Sequence, residues 1–184
     1  MLRPPALAAC LSLLCASQLG AVGMEDNAPP APTATTLECP DGTVWDVERA
    51  ACVEIKESRL PQTPDALITV VRELAYANRF EDALNLLHRA PDQGDTMVLT
   101  YFGYVTRKTG DMARGLGYYD RALTVAPDNL LARAYLGLAY LQTGQTELAK
   151  AQLAEIMARG GAGSWSERVL AQALIDGDAT RYDY

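Results

Sequence analysis

The side chains best equipped for chemistry in this chain are two cysteines, a lone histidine, and a scatter of arginines, lysine and tyrosines. Cys39 and Cys52 enclose the segment Pro-Asp-Gly-Thr-Val-Trp-Asp-Val-Glu-Arg-Ala-Ala. Pro40-Asp41-Gly42 is a turn signal, Thr43 to Trp45 favour a strand, and Asp46 to Arg49 allow a second turn. Such a segment folds back on itself and brings the two sulfurs together, so a structural disulfide is expected. Closing a loop of this size stabilises by about 3 kcal/mol in the chain-entropy model. A metal site would need more Cys or His at short spacing, and His88, the single histidine, is remote in sequence. A redox pair would sit closer together, as in Cys-x-x-Cys.

Catalysis is hard to assemble from this inventory. The chain has one His and no Ser-His-Asp or phosphate-loop pattern, and its Asp and Glu residues form no convergent pair. No enzyme activity, cofactor or metal is therefore expected, and His88 reads as a solvated surface side chain.

At 184 residues the chain has room for one ordinary domain and some extensions. Abundant Ala and Leu with few aromatics favour helices over strands. A net charge of −7 without any run of Lys or Arg argues against nucleic acid or anionic lipid as partner.

Residues 1–23 carry one charge, Arg3, and an apolar stretch from Ala6 to Ala16. That stretch is short of the roughly 20 residues a membrane-spanning helix needs. It fits a secretory signal cut before Met24, after the small residues Ala21-Val22-Gly23. Leu7-Ala8-Ala9-Cys10 has the look of a lipidation box, but it lies inside the apolar stretch rather than after it. Cys10 and Cys15 leave with the signal. Membrane contact is then expected only through the signal segment if it stays uncleaved. Residues 24–38 form a Pro/Ala/Thr tether, residues 39–58 the disulfide-closed loop, 59–178 the main domain and 179–184 a tail.

From Leu60 onward the sequence repeats. Leu99, Phe102, Gly103 and Thr106 share one helical face, Gly110-Asp111 breaks the helix, and Gly115, Tyr119 and Ala122 mark a second helix stopped by Pro127. Leu136, Gly137, Tyr140, Gly144, Ala149, Leu153 and Ile156 repeat this layout 34 residues later. Val70, Val71, Leu74, Asn78, Ala83, Leu87 and Ala90 give a degenerate first unit. Ser164-Trp165-Ser166-Glu167 opens a further helix as a capping box, expected to lay Val169, Leu170, Ala173 and Leu174 on the last unit.

This layout resembles the tetratricopeptide repeat (TPR) family, most closely in Ala134-Tyr135-Leu136-Gly137-Leu138-Ala139-Tyr140 and Tyr118-Tyr119-Asp120-Arg121-Ala122-Leu123. The resemblance implies an all-α solenoid of about three helix-turn-helix repeats with a C-terminal capping helix. Small residues such as Gly103, Gly115, Gly137, Ala83 and Ala149 would sit where the two helices of a pair approach closely, and large ones such as Tyr119, Tyr140 and Leu153 would fill the gaps between units. It also implies a protein or peptide partner in a concave groove lined by the first helix of each pair. Residues there that do not point into the stack are Arg72, Tyr76, Thr100, Tyr104, Arg107, Lys108, Leu138 and Gln142. A groove with three cations and two phenols suits acidic side chains or a free carboxylate. The family's pattern for gripping C-terminal carboxylates uses Asn and Lys where this chain has Arg72 and other residues, so that activity is not carried over. With export, these features describe a non-enzymatic interaction module of the bacterial periplasm or cell envelope.

The run Cys39-Pro40-x-Gly42-x-x-Trp45-Asp46…Cys52 is also similar to the last third of a small chitin-binding module. That resemblance implies an alternative, contact with cell-wall glycan through Trp45.

Overall fold

The computed structural model describes residues 30–59, 61 and 63–182. The expected signal segment, the start of the tether and positions 183–184 of the tail lie outside them. A short helix α1 (Ala34–Leu37) leads into an antiparallel hairpin of β1 (Thr43–Asp46) and β2 (Ala51–Glu54), with Trp45 opposite Cys52. Three helical hairpins follow: α2 (Pro64–Tyr76) with α3 (Phe80–His88), α4 (Thr96–Lys108) with α5 (Met112–Val125), and α6 (Leu130–Gln142) with α7 (Thr146–Ala158). A single helix α8 (Trp165–Asp176) closes the stack against α6 and α7. The fold is an all-α TPR helix-turn-helix solenoid, preceded by a disulfide-closed loop.

Local sequence sets the helix ends. Thr63, Asp95, Asp111 and Asn129 each turn a side-chain oxygen back onto the first-turn N–H groups of α2, α4, α5 and α6. The first helix of each pair ends in the same left-handed residue: Asn78 at φ 59°, Gly110 at φ 101° and Gly144 at φ 75°. At each of these ends the next N–H reaches back to a carbonyl of the last turn. Arg79 donates to Leu74 at 2.8 Å, Asp111 to Thr106 at 3.2 Å and Gln145 to Tyr140 at 2.8 Å. The turn chemistry is therefore repeated even where the degenerate first unit replaces glycine with Asn78. Ser164 caps α8 as expected, donated to by the Glu167 N–H at 3.2 Å. The Glu167 carboxylate, however, accepts from Gly163 rather than closing the box on Ser164.

Small residues make the tight contacts. A β-carbon on Gly115 would come within 2.9 Å of the Gly103 carbonyl oxygen, so α4 and α5 meet glycine to glycine. Gly137 departs from expectation. Its open side is filled by Leu170 of α8, at 2.5 Å from where a β-carbon would stand, so it serves the contact with the capping helix. Val169, Leu170 and Ala173 are buried there, and Leu174 is half-buried.

The N-terminal extension corrects the expected tether. Residues 33–38 form a capped helical turn packed on α2. Its physical cause is Glu73, nearly buried on α2, which accepts from the Thr33 N–H at 2.8 Å, the Thr33 hydroxyl and the Thr36 hydroxyl at 2.6 Å. The hairpin then docks on α3. Its disulfide, Cys39–Cys52, joins two backbones with Cα atoms 5.5 Å apart. The tail is also partly folded, with Ala179 buried and the Tyr182 hydroxyl bonded to Asp176.

Candidate functional site

The inner face of the solenoid is built by α2, α4 and α6, and it carries an unusual concentration of phenols. Tyr101 and Tyr104 of α4 lie 6.5 Å and 5.1 Å from the Tyr135 ring of α6, and Tyr119 lies 6.3 Å from it. Trp165 adds an edge contact with Tyr135 at 6.0 Å. Tyr76 and Arg72 of α2 act on the same cluster through the field they exert on Tyr101. Burial holds the Tyr101 and Tyr135 hydroxyls protonated well above the usual phenol range, and the Arg72 charge pulls Tyr101 back in part.

The residues expected to line the groove fall into two groups. Arg72, Thr100, Tyr104, Arg107 and Leu138 are buried, which corrects the picture of solvated groove side chains. The reason lies in their neighbours. Thr100 donates to the Thr96 carbonyl at 2.7 Å and accepts from the Asn129 amide at 3.0 Å, tying α4 to the start of α6. The Arg107 guanidinium lies 5.8 Å from the centre of the Tyr104 ring and donates to Gln142 Oε1 at 2.7 Å, tying the ends of α4 and α6. The second group, Tyr76, Lys108 and Gln142, is half-buried. These three close α2, α4 and α6 and stand 32 and 34 residues apart, so they occupy the same position in successive units. Lys108 also reaches the Phe80 ring, at 5.9 Å from its centre.

Tyr101 and Tyr135 were not legible as members of this site. Both occupy the same place within their helices, one residue before the large apolar position, and that recurrence is the signal that could have found them. Arg79 was missed as well. Its guanidinium pairs with Asp82 and donates to the carbonyls of Thr35, Cys39, Pro40 and Thr43, at 2.7, 3.2, 3.1 and 2.6 Å. Asp82 in turn accepts from the Gly42 N–H at 3.0 Å. Arg89 holds the end of the hairpin through the Ile55 and Ser58 carbonyls. These side chains anchor the N-terminal loop. His88 is exposed on the outer surface, with its ring 4.9 Å from Phe102. Among the described residues no cluster of three or more His, Cys, Asp or Glu is placed to hold a metal ion.

Comparison with known proteins agrees with the repeat geometry. Residues 107–165 match the tetratricopeptide repeat family. The chain is 30% identical over 87 residues to the "BBSome complex member bbs-4" of Caenorhabditis elegans, a match covering 47% of this chain and 19% of that protein. It therefore spans about a fifth of the length of that relative. No solved structure matches the chain significantly. The fold and these matches show that the chain is similar to TPR proteins, whose repeats generally mediate protein–protein interaction.

Proposed function

We propose that this protein is a non-enzymatic scaffold of the bacterial periplasm or cell envelope that holds a partner segment against its inner face. The observation that carries the reading is the row Tyr76, Lys108 and Gln142, half-exposed at equivalent ends of three successive first helices. Behind that row stand Arg72, Tyr104 and Arg107. A phenol, an ammonium and an amide at repeat spacing offer hydrogen bonds to an extended peptide, and the cations favour acidic side chains or a terminal carboxylate. The disulfide supports an oxidising compartment. The relative's printed membership of a complex is in keeping with a scaffolding role.

The test is affinity capture from the envelope fraction with wild type and with a Tyr76→Ala, Lys108→Glu variant, which leaves the Arg107–Gln142 bond in place. These positions are half-buried, so helicity should survive; truncating buried Tyr104 or Arg107 would confound binding with folding. A partner kept by wild type and lost by the variant supports the inner face. The same partners with both would refute it.

A second reading has one observation behind it. Half-buried Trp45 lines a shallow pocket of about 300 Å³ with Asp46, Glu48, Arg59 and Pro61 on the outer side of the hairpin. An indole flanked by hydrogen-bonding groups suits a sugar ring. Co-sedimentation with purified peptidoglycan that is abolished by Trp45→Ala would favour this alternative.

A further inference from the structure

The outward side of α5 carries a feature that neither the core nor the inner face explains. Arg114, Gly117, Tyr118, Arg121 and Val125 follow one another at helical spacing along one stripe. Tyr118 is half-buried and stacks on Phe102, with ring centres 5.0 Å apart and planes within 15°. The Arg114 and Arg121 guanidiniums lie 5.9 Å and 5.6 Å from the centre of the Tyr118 ring. Both arginines are exposed, and among the described residues neither forms an ion pair. Val125 beyond them is 62% exposed.

Gly117 is the second observation. It sits inside a 14-residue helix, where glycine costs about 0.5–1 kcal/mol relative to alanine. The other helical glycines, Gly103, Gly115 and Gly137, each stand where a β-carbon would collide with a neighbour. At Gly117 a β-carbon would meet nothing within 4 Å, so no contact within the chain calls for a bare backbone. A bare backbone on an exposed face lets another chain approach closely.

The charges point to the chemistry of that chain. The protein as a whole carries −7, yet this stripe presents only cations. The nearest acids on α5 and its cap are engaged elsewhere. Asp111 caps the helix by accepting from the Arg114 N–H at 3.1 Å, and Asp120 lies on the side facing Tyr140, whose phenol burial and that charge together hold protonated. Resting on an aromatic ring restrains each guanidinium while leaving its N–H edge open for a carboxylate. Seven residues of helix separate the two arginines by about 10 Å.

We propose that the α5 stripe is a docking site for an acidic peptide segment of a partner protein, whose backbone crosses at Gly117 and whose carboxylates pair with Arg114 and Arg121. An apolar side chain of the same segment rests on Tyr118 and Val125. The site is on the outer surface and works independently of the inner face.

The probe is a synthetic helix-forming peptide of about 15 residues with two Glu residues seven apart flanking a Leu, which sets the carboxylates at the arginine spacing, and a counterpart with Lys in place of Glu. Each is titrated into the 15N-labelled full chain and into Arg114→Glu/Arg121→Glu and Gly117→Leu variants. The second variant removes no intrachain contact and improves helix propensity, so it should fold at least as well as wild type. Expected is binding of the Glu peptide alone, weakening with salt, with amide shifts on α5. Affinity should fall about tenfold or more in both variants. Equal binding by Glu and Lys peptides, undiminished binding in either variant, or shifts confined to Tyr76, Lys108 and Gln142 would overturn the proposal. So would binding to phosphatidylglycerol vesicles without binding to the peptide.

Discussion

The ring of Tyr119 lies so close over Gly103 that a β-carbon on the glycine would stand 2.5 Å from it. Tyr119 is buried, and its ring touches the next unit through Tyr135, so it has no free direction in which to yield. Gly103→Ala should therefore destabilise by about 1–3 kcal/mol, the usual cost of overpacking. Gly117→Ala, on the next helix and in open space, should instead stabilise by about 0.5–1 kcal/mol. Urea melts of the two variants check the pair. Equal effects of the same sign would mean that helix propensity, not packing, governs both sites.

Arg79 should be the costliest single side chain to remove from the N-terminal junction. Its guanidinium is 8% exposed and pairs with an Asp82 carboxylate that is 6% exposed, while four backbone carbonyls depend on it. Arg79→Ala leaves that carboxylate buried without its cation, which costs about 3–5 kcal/mol. Arg79→Lys should recover only a minority of the loss, because one ammonium cannot reproduce the planar fork. Full recovery by lysine in thermal melts would reduce the site to a simple charge pair.

The solenoid was legible because it rests on periodic signals. Gly110, Gly144 and Asn78 mark equivalent turns, and Ala83, Gly115 and Ala149 mark equivalent close contacts. Such features repeat at fixed spacing, so each unit corroborates the others. The N-terminal docking rests on Glu73, Arg79 and Asp82, each occurring once. In sequence they look like ordinary helix-surface charges, and only the arrival of Thr33 and the hairpin carbonyls buries them. The inner face was half legible. Its residues were named, but their burial depends on rings from three helices meeting at Tyr135, a long-range contact that no local pattern records. Gly137 misled for a related reason, since its β-carbon space is taken by Leu170, distant in sequence.

Removing the disulfide should loosen the extension more than the repeats. Cys39 and Cys52 are 13 residues apart, and in the chain-entropy model that loop contributes about 3 kcal/mol. The hairpin keeps its bonds to Arg79 and Arg89 without the sulfur link. A Cys39→Ser/Cys52→Ser variant should thus stay helical, while amide exchange in residues 43–54 rises well before that in α4 and α6. Uniform acceleration across all helices would show that the cap and the solenoid unfold as one unit.

Alkaline pH should unfold the protein through its phenols. Burial raises the Tyr101 and Tyr135 pKa values above those they have in the unfolded chain. A raised folded value means the unfolded state loses these protons first, at about pH 10. The stability tied to them is therefore fully present below about pH 10 and declines as pH rises from there towards the folded values. In ultraviolet titration, the phenols of Tyr101 and Tyr135 should stay silent until helicity collapses in the same step. Tyr135→Phe removes one buried hydroxyl and keeps the ring, so its alkaline midpoint should move to higher pH. Smooth ionisation of every tyrosine with unchanged circular dichroism would mean that the inner face opens freely to water.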